Sequence, residues 1–303
     1  MVTRRMLIAG AAGMVVVPSP VLAQQQQTFS TEGLYRGRTT VPVRLNGKGP
    51  FAFMVDTAAT ASVISSDLVQ PLGLESLGQV GMHTLVGREV VPTVRAERMQ
   101  SGRLDARNVR LAVGQRLAMA GLDGLLGCDL LVEQKLILNF SGEQRARIVR
   151  SSPPPRGFHE GTSPGIPLVV TGERRFGNLL MIPAQLGRSP VVAIIDSGAE
   201  GTILNRAAAR AAQATPLTPR DGQDVRRVQS PTGEVTWGQA MTVPSLNFAG
   251  LAIINLAVAV GDFHSFRVWG LEDQPAMLIG LDVLRHFDSV HIDLKRAELS
   301  LHI

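Results

Sequence analysis

The chain repeats itself. Aligned without gaps at an offset of 140 residues, 47–65 matches 187–205. Gly47, Pro50, Asp56 and Ala59 meet Gly187, Pro190, Asp196 and Ala199, Thr57 meets Ser197, and apolar positions meet apolar positions. Further on, Leu125, Leu126, Gly127 and Asp129 recur as Leu278, Ile279, Gly280 and Asp282. Each of these elements leads into an apolar finish, 136–140 in the first copy and 290–294 in the second. Internal repetition constrains the fold more than any local signal, because both copies must be similar structural units. With 303 residues, 45% of them hydrophobic and 18% charged, the chain can bury a core in two such units.

Both copies read as mostly β. The stretch 41–45 alternates apolar and polar toward a turn at Asn46 and Gly47, while 51–55 and 191–195 are short apolar runs bounded by turn residues, as buried strands require. A short helix is expected after each Asp loop, opened by Ser65 and by Asn205, and another after each apolar-Gly element. Residues 151–166 carry Pro153, Pro154, Pro155 and four glycines or prolines more, which marks a linker between lobes at 39–150 and 167–303. The N-terminus reads as an address. Arg4 and Arg5 precede an apolar run from Leu7 to Val17 that is too short to span a membrane, and cleavage is expected after Ala23. The paired arginines resemble a twin-arginine signal, with an ordinary secretory signal as the alternative; either implies an exported, periplasmic or secreted protein. Residues 24–38 are polar and of low complexity, a flexible lead-in.

The chemistry lies in the repeated Asp. A carboxylate on a tight turn at a strand end is common, and one alone reads as an ordinary Asx turn. Two, on related lobes, can be brought face to face by a pseudo-twofold axis. At about 3 Å two unit charges repel by roughly 5 kcal/mol with an effective dielectric near 20. Asp56 and Asp196 then cannot both ionise over a wide pH range, and they titrate as a coupled pair sharing one proton. A water between the carboxylate and the carboxylic acid is activated by the first, while the second protonates the carbonyl under attack. That is general acid–base hydrolysis of an amide without a covalent intermediate.

Asp56-Thr57-Ala58-Ala59 with Leu125-Leu126-Gly127, and Asp196-Ser197-Gly198-Ala199 with Leu278-Ile279-Gly280, resemble the two signature elements of the retropepsin-like aspartic proteases, each present twice. The resemblance covers residues 39–303. It implies an all-β fold of two similar β-barrel lobes with the active cleft between them, and an aspartic endopeptidase with Asp56 and Asp196 as its dyad. It also implies that Thr57 and Ser197, with Ala58 and Gly198, support the dyad, and that Leu126, Gly127, Ile279 and Gly280 back the loops. Peptide or protein would be the substrate, no cofactor or metal is expected, and one chain supplying both Asp residues is compatible with an active monomer. β-Hairpin flaps are expected over 83–91, with Gly87 at the turn, and over 228–235, with Pro231, Thr232 and Gly233; neither carries a tyrosine. Ala58 departs from the glycine of the usual motif. Ala59 and Ala199 supply no hydroxyl to the dyad, so its pKa values should sit higher and favour mildly acidic over strongly acidic solution.

The competing reading is a catalytically inactive peptide-binding or assembly module on the same two lobes. Other polar residues read as structural. His286 and His291 lack a third ligand at metal spacing and are expected at the surface; Asp129 and Asp282 are expected to open the short helices; Cys128 is expected in the core. Trp237 and Trp269 suit either cleft or core. A net charge of +5 invites nucleic acid as a partner, but the arginines are scattered, with no block longer than Arg226-Arg227, and two belong to the signal. Neither nucleic-acid binding nor stable membrane insertion is expected.

Overall fold

The computed structural model describes residues 39–141, 146–152, 167–217 and 224–303. The expected export signal and lead-in, and the linker from residue 153 to 166, lie outside the described residues.

The first lobe comprises β1 (Thr40–Leu45), β2 (Lys48–Val55), β3 (Val63–Ser65), α1 (Ser66–Val69), β4 (Glu75–His83), β5 (Arg88–Ser101), β6 (Leu104–Gly114), β7 (Gly124–Leu126) and α2 (Cys128–Leu131). The strands β8 (Gln134–Asn139) and β9 (Ala146–Arg150) follow. The second lobe opens with β10 (Leu168–Thr171) and β11 (Glu173–Arg175), then repeats the plan. It runs β12 (Leu179–Leu186), β13 (Ser189–Ile195), β14 (Ile203–Leu204), α3 (Arg206–Ala211), β15 (Thr215–Pro216), β16 (Val225–Gln229), β17 (Val235–Phe248) and β18 (Leu251–Val260). It closes with α4 (His264–Val268), β19 (Ala276–Ile279), α5 (Leu281–Leu284), β20 (Ser289–Asp293) and β21 (Glu298–His302).

Each lobe is a closed barrel with one topology. In the first, strands run in the order β1-β2-β7-β3-β6-β5, and β5 pairs back onto β1; in the second the order is β12-β13-β19-β14-β18-β17, with β17 paired back onto β12. Closure leaves few free strand edges to be managed by other means. The alternation read from the sequence is kept: Val41, Val43 and Leu45 of β1 are all buried, worth about 1.5–3 kcal/mol each by transfer from water. The helix openers also fall where expected. The Ser65 hydroxyl accepts from the Asp67 amide, and Asn205 Oδ1 accepts from the Ala208 amide at 2.8 Å.

The apolar finishes of the two copies build a third sheet between the lobes, which the repeat alone does not disclose. Its order is β10-β21-β20-β8-β9, so both lobes contribute strands. β8 and β20 pair antiparallel, with Leu136 opposite Ile292, Ile137 opposite His291 and Leu138 opposite Val290. Ile137 and His291 are equivalent positions of the two copies and pair with each other, so the pseudo-twofold axis passes through them. The main apolar core runs through both barrels and this sheet without a break.

Candidate active site

Each Asp loop leaves the C-terminal end of a barrel strand that pairs in parallel with the strand of its apolar-Gly element. Val55 lies beside Leu126, and Ile195 beside Ile279. The next amide continues the pairing: Asp56 N donates to Leu126 O at 3.0 Å and Asp196 N to Ile279 O at 2.9 Å. Leu126 and Ile279 are fully buried behind the loops. Gly127 and Gly280 are required by space. A Cβ on Gly127 would lie 2.9 Å from Ala59 O, and one on Gly280 2.7 Å from the backbone carbonyl of Gly201.

The two loops are bound to each other by reciprocal hydrogen bonds. Thr57 Oγ1 donates to Ile195 O at 2.7 Å, and Ser197 Oγ donates to Val55 O at 2.8 Å. In return, Thr57 Oγ1 accepts from Ser197 N at 3.0 Å and Ser197 Oγ from Thr57 N at 3.2 Å. All these groups are buried, so the four bonds fix the loops' relative position. Cys128, in the core as expected, donates its thiol to Thr57 O at 3.2 Å, and burial pushes its pKa up.

The carboxyls meet over Gly198. A Cβ there would lie 2.5 Å from Asp56 Cγ, and both Asp56 oxygens are within 2.9 Å of that point. Only a glycine lets the Asp56 carboxyl rest against the opposite loop. Ala58, the departure in the first loop, keeps an ordinary right-handed or extended backbone, and its amide still donates to Asp56 Oδ1 at 3.0 Å. The matching amide of Gly198 donates to Asp196 Oδ1 at 2.9 Å, joined by that of Ala199 at 3.0 Å. Loss of solvent raises the pKa of both carboxyls. Asp196 is pushed up to about 8, first by burial and then by the negative charge of Asp56, against the lowering pull of its two amide donors.

A second clamp on each loop escapes a reading of the motifs. Asp129 and Asp282 sit in the first turns of α2 and α5, where the sequence places them, but their carboxylates reach back across the loops. Asp129 accepts from Ser62 Oγ at 2.8 Å and Ser62 N at 3.1 Å; Asp282 accepts from Thr202 Oγ1 at 2.7 Å and Thr202 N at 2.9 Å. Ser62 and Thr202 accept in turn from the amides of Gly127 and Gly280. Both residues stand at equivalent places in the repeat, and that coincidence was the available signal.

The cleft above the dyad has a volume of about 1700 Å³, well beyond the 300–1,000 Å³ typical of small-molecule sites. Two hairpins cover it and cross. The turn after β4 reaches the second lobe, where His264 N donates to Leu85 O at 2.9 Å and the His83 and His264 rings stack, Nδ1 to Nε2 at 2.8 Å. The turn after β16, containing Pro231, Thr232 and Gly233, reaches the first lobe, where Pro231 O accepts from Gln115 N at 3.1 Å. Glu89 ties the two together, accepting from Thr84 of its own hairpin at 3.4 Å and from the Thr232 hydroxyl of the other. Gly233 has a φ of +104°, a conformation that favours glycine, whereas its aligned partner Gly87 does not, so Gly87 is not needed for its turn.

Trp237 and Trp269 both line the cleft; Trp237 is 58% exposed, while Trp269 packs on Phe176 and Phe266. His286 also lines it. His291 is half-buried in the shared sheet rather than out at the surface, its ring tilted against that of His302, and burial pushes its pKa down to about 4. Among the described residues no three His, Cys, Asp or Glu side chains come together as a metal ion would require.

Residues 41–133 match the family model of the gag-polyprotein aspartyl protease, and residues 182–283 match a second model, Aspartyl protease. The crystal structure of a retropepsin-like aspartic protease from Rickettsia conorii is 19% identical to this chain. It covers 44% of this chain and 87% of its own, with a TM-score of 0.31. None of the curated proteins matches the chain.

Proposed function

This chain belongs to the retropepsin-like aspartic protease family and carries two of its repeats, and from that premise we propose that it is an endopeptidase with Asp56 and Asp196 as its catalytic dyad. The observation that carries the reading is the pairing of the two carboxyls at one cleft, with the charge on Asp56 helping to hold the Asp196 proton. A monoprotonated pair has both groups that amide hydrolysis needs. Its ionised carboxylate takes a proton from the attacking water, and its protonated carboxyl donates one to the carbonyl oxygen of the scissile bond. The tetrahedral intermediate then collapses as the leaving nitrogen is protonated from the same pair. Thr57 and Ser197 act as positioning residues, since their bonds run between the loops that carry the carboxyls.

The reading extends to the setting. Both halves of the site come from one chain, which supports action as a monomer, and the N-terminal signal supports action outside the cytoplasm. The test is peptide cleavage by the purified chain lacking residues 1–23, from about pH 3 to about pH 8, with and without a statine-type transition-state mimic. Cleavage that is blocked by the mimic and lost in Asp56→Asn and Asp196→Asn is the expected result. Wild type and both variants behaving alike would remove the catalytic claim in favour of a binding module.

A further inference from the structure

We propose that the cleft selects extended peptides bearing acidic side chains, received by Arg110 in one arm of the cleft and by Arg226 in the other. This rests on the reading of the cleft as a peptide site and adds to it a class of substrate.

The argument begins with register. In an antiparallel sheet, directly opposed residues share a face, and so do residues two apart along a strand. In the first lobe Val80 opposes Val91, Thr93 opposes Ala112 and Arg95 opposes Arg110, which places Val80 and Arg110 on one face. In the second lobe Arg226 opposes Gly238, Ala240 opposes Ala259 and Thr242 opposes Ala257, which places Arg226 and Ala257 on one face. The inner strands align the two sets: Val63 lies beside Ala112 and Ile203 beside Ala259. Val80 is therefore the counterpart of Arg226, and Arg110 the counterpart of Ala257. All four line the cleft. The lobes have exchanged the charge between hairpin and barrel wall, so each arm presents one arginine and one apolar residue.

These arginines have no acidic partner among the described residues. The other charges of the cleft wall are engaged. Arg285 pairs with Glu200 at 2.9 Å, and Asp129 and Asp282 are held by Ser62 and Thr202. Arg110 stands directly opposite Arg95, whose own partner is Glu75, a like-charge juxtaposition that a bound carboxylate relieves. Arg226 is followed by Arg227, which also lines the cleft and whose Nη1 donates to Gln229. Apart from the dyad, the Arg285–Glu200 pair and the two carboxyls that Ser62 and Thr202 hold against the loops, the charged groups that a peptide meets on the walls are thus arginines without an acidic partner, and guanidinium groups match carboxylates in geometry.

The test uses peptides of about ten residues, some 33 Å when extended, with an apolar centre and one Glu, or its isostere Gln, walked along the sequence. Binding to the Asp56→Asn chain is read by anisotropy of a labelled peptide at about pH 6.5, where Glu is ionised. Glu should bind about fivefold tighter than Gln at a position on each side of the centre, the preference weakening in about 0.5 M salt. Arg110→Gln should erase it on one side only and Arg226→Gln on the other only, with thermal stability of both variants unchanged. Equal binding of Glu and Gln peptides at every position, a preference that survives both substitutions, or no peptide binding at all would overturn the proposal. Glu preference in a wild-type chain that cuts no peptide would sink the endopeptidase reading alone. Cleavage without any Glu preference would sink this inference alone.

Discussion

Thr57 and Ser197 each donate a hydroxyl proton to the backbone carbonyl just before the other's aspartate, at 2.7 and 2.8 Å, and each accepts from the other's amide. The lobes are therefore held at the dyad by groups with no water to fall back on. Thr57→Val or Ser197→Ala orphans one buried carbonyl and one buried amide, at a cost of about 1–3 kcal/mol for each orphaned group. Either variant should lower the midpoint of urea unfolding by the equivalent of about 2 kcal/mol or more, and the double variant should cost less than the sum, because the two residues form one network. Cleavage should fall through kcat rather than KM. Unfolding curves that overlay wild type would show that the loops are held by something else.

The raised pKa of Asp196 makes a signed prediction about stability. Its carboxyl titrates near 3.8 when unfolded and at about 8 when folded, so between these values the folded chain binds the extra proton. Stability from this group is complete below about pH 3.8, drains away as pH rises, and has no more to lose above about pH 8. Asp196→Asn cannot titrate and should flatten that decline, making the variant more stable than wild type at pH 8 while differing less at pH 4. Thermal melting of both proteins across this range checks it. Activity should follow the singly protonated pair and extend from mild acid to neutrality, and a peak below about pH 3 would contradict it.

Much of this was legible in the chain, for a physical reason. Barrel strands advertise themselves by alternation, as in Val41, Val43 and Leu45, and the Asp loops align without a gap on a shared Asp, a following hydroxyl residue and a shared Ala. What stayed hidden was partnership. Leu136–Asn139 and Ser289–Asp293 have the look of any strand, and only the docking of two lobes makes them neighbours. Asp129 and Asp282 were placed correctly as helix openers, yet their bonds to Ser62 and Thr202 span 67 and 80 residues, beyond any local pattern. Glu89 carries no motif at all, and its partner Thr232 is 143 residues away.

The two dyad loops should differ in their response to an exchange of glycine and alanine. Gly198→Ala drives a methyl to 2.5 Å from Asp56 Cγ, so the carboxyl must shift or the loops must part. Overpacking of this kind costs about 1–3 kcal/mol, and because it acts on the reacting group we expect kcat/KM to fall by about tenfold or more. Ala58→Gly meets no such barrier, since the Ala58 amide already reaches Asp56 at 3.0 Å without left-handed backbone. That variant should keep its activity and lose only about 0.4–1 kcal/mol, from the greater freedom of glycine in the unfolded chain. Equal activities of the two variants would show that the carboxyl contact over Gly198 does not control the dyad.

The crossed hairpins predict a kinetic signature. Glu89 accepts from Thr84 and from Thr232, so one carboxylate joins the two covers above an otherwise open cleft. Substrate must part them to enter, and the product must part them to leave. Thr232→Val deletes the hydroxyl that bridges the hairpins. A hydrogen bond to a charged group contributes about 1.5–3 kcal/mol, so opening should quicken by about tenfold. The bond joins two protein groups and needs no ligand atom, so its loss eases entry and exit alike. For a statine-type mimic, association and dissociation rates should therefore rise together while Kd stays nearly constant. Stopped-flow binding decides the matter: an increase in dissociation alone would mean that the bond forms only around a ligand, and unchanged rates would mean that the covers open elsewhere.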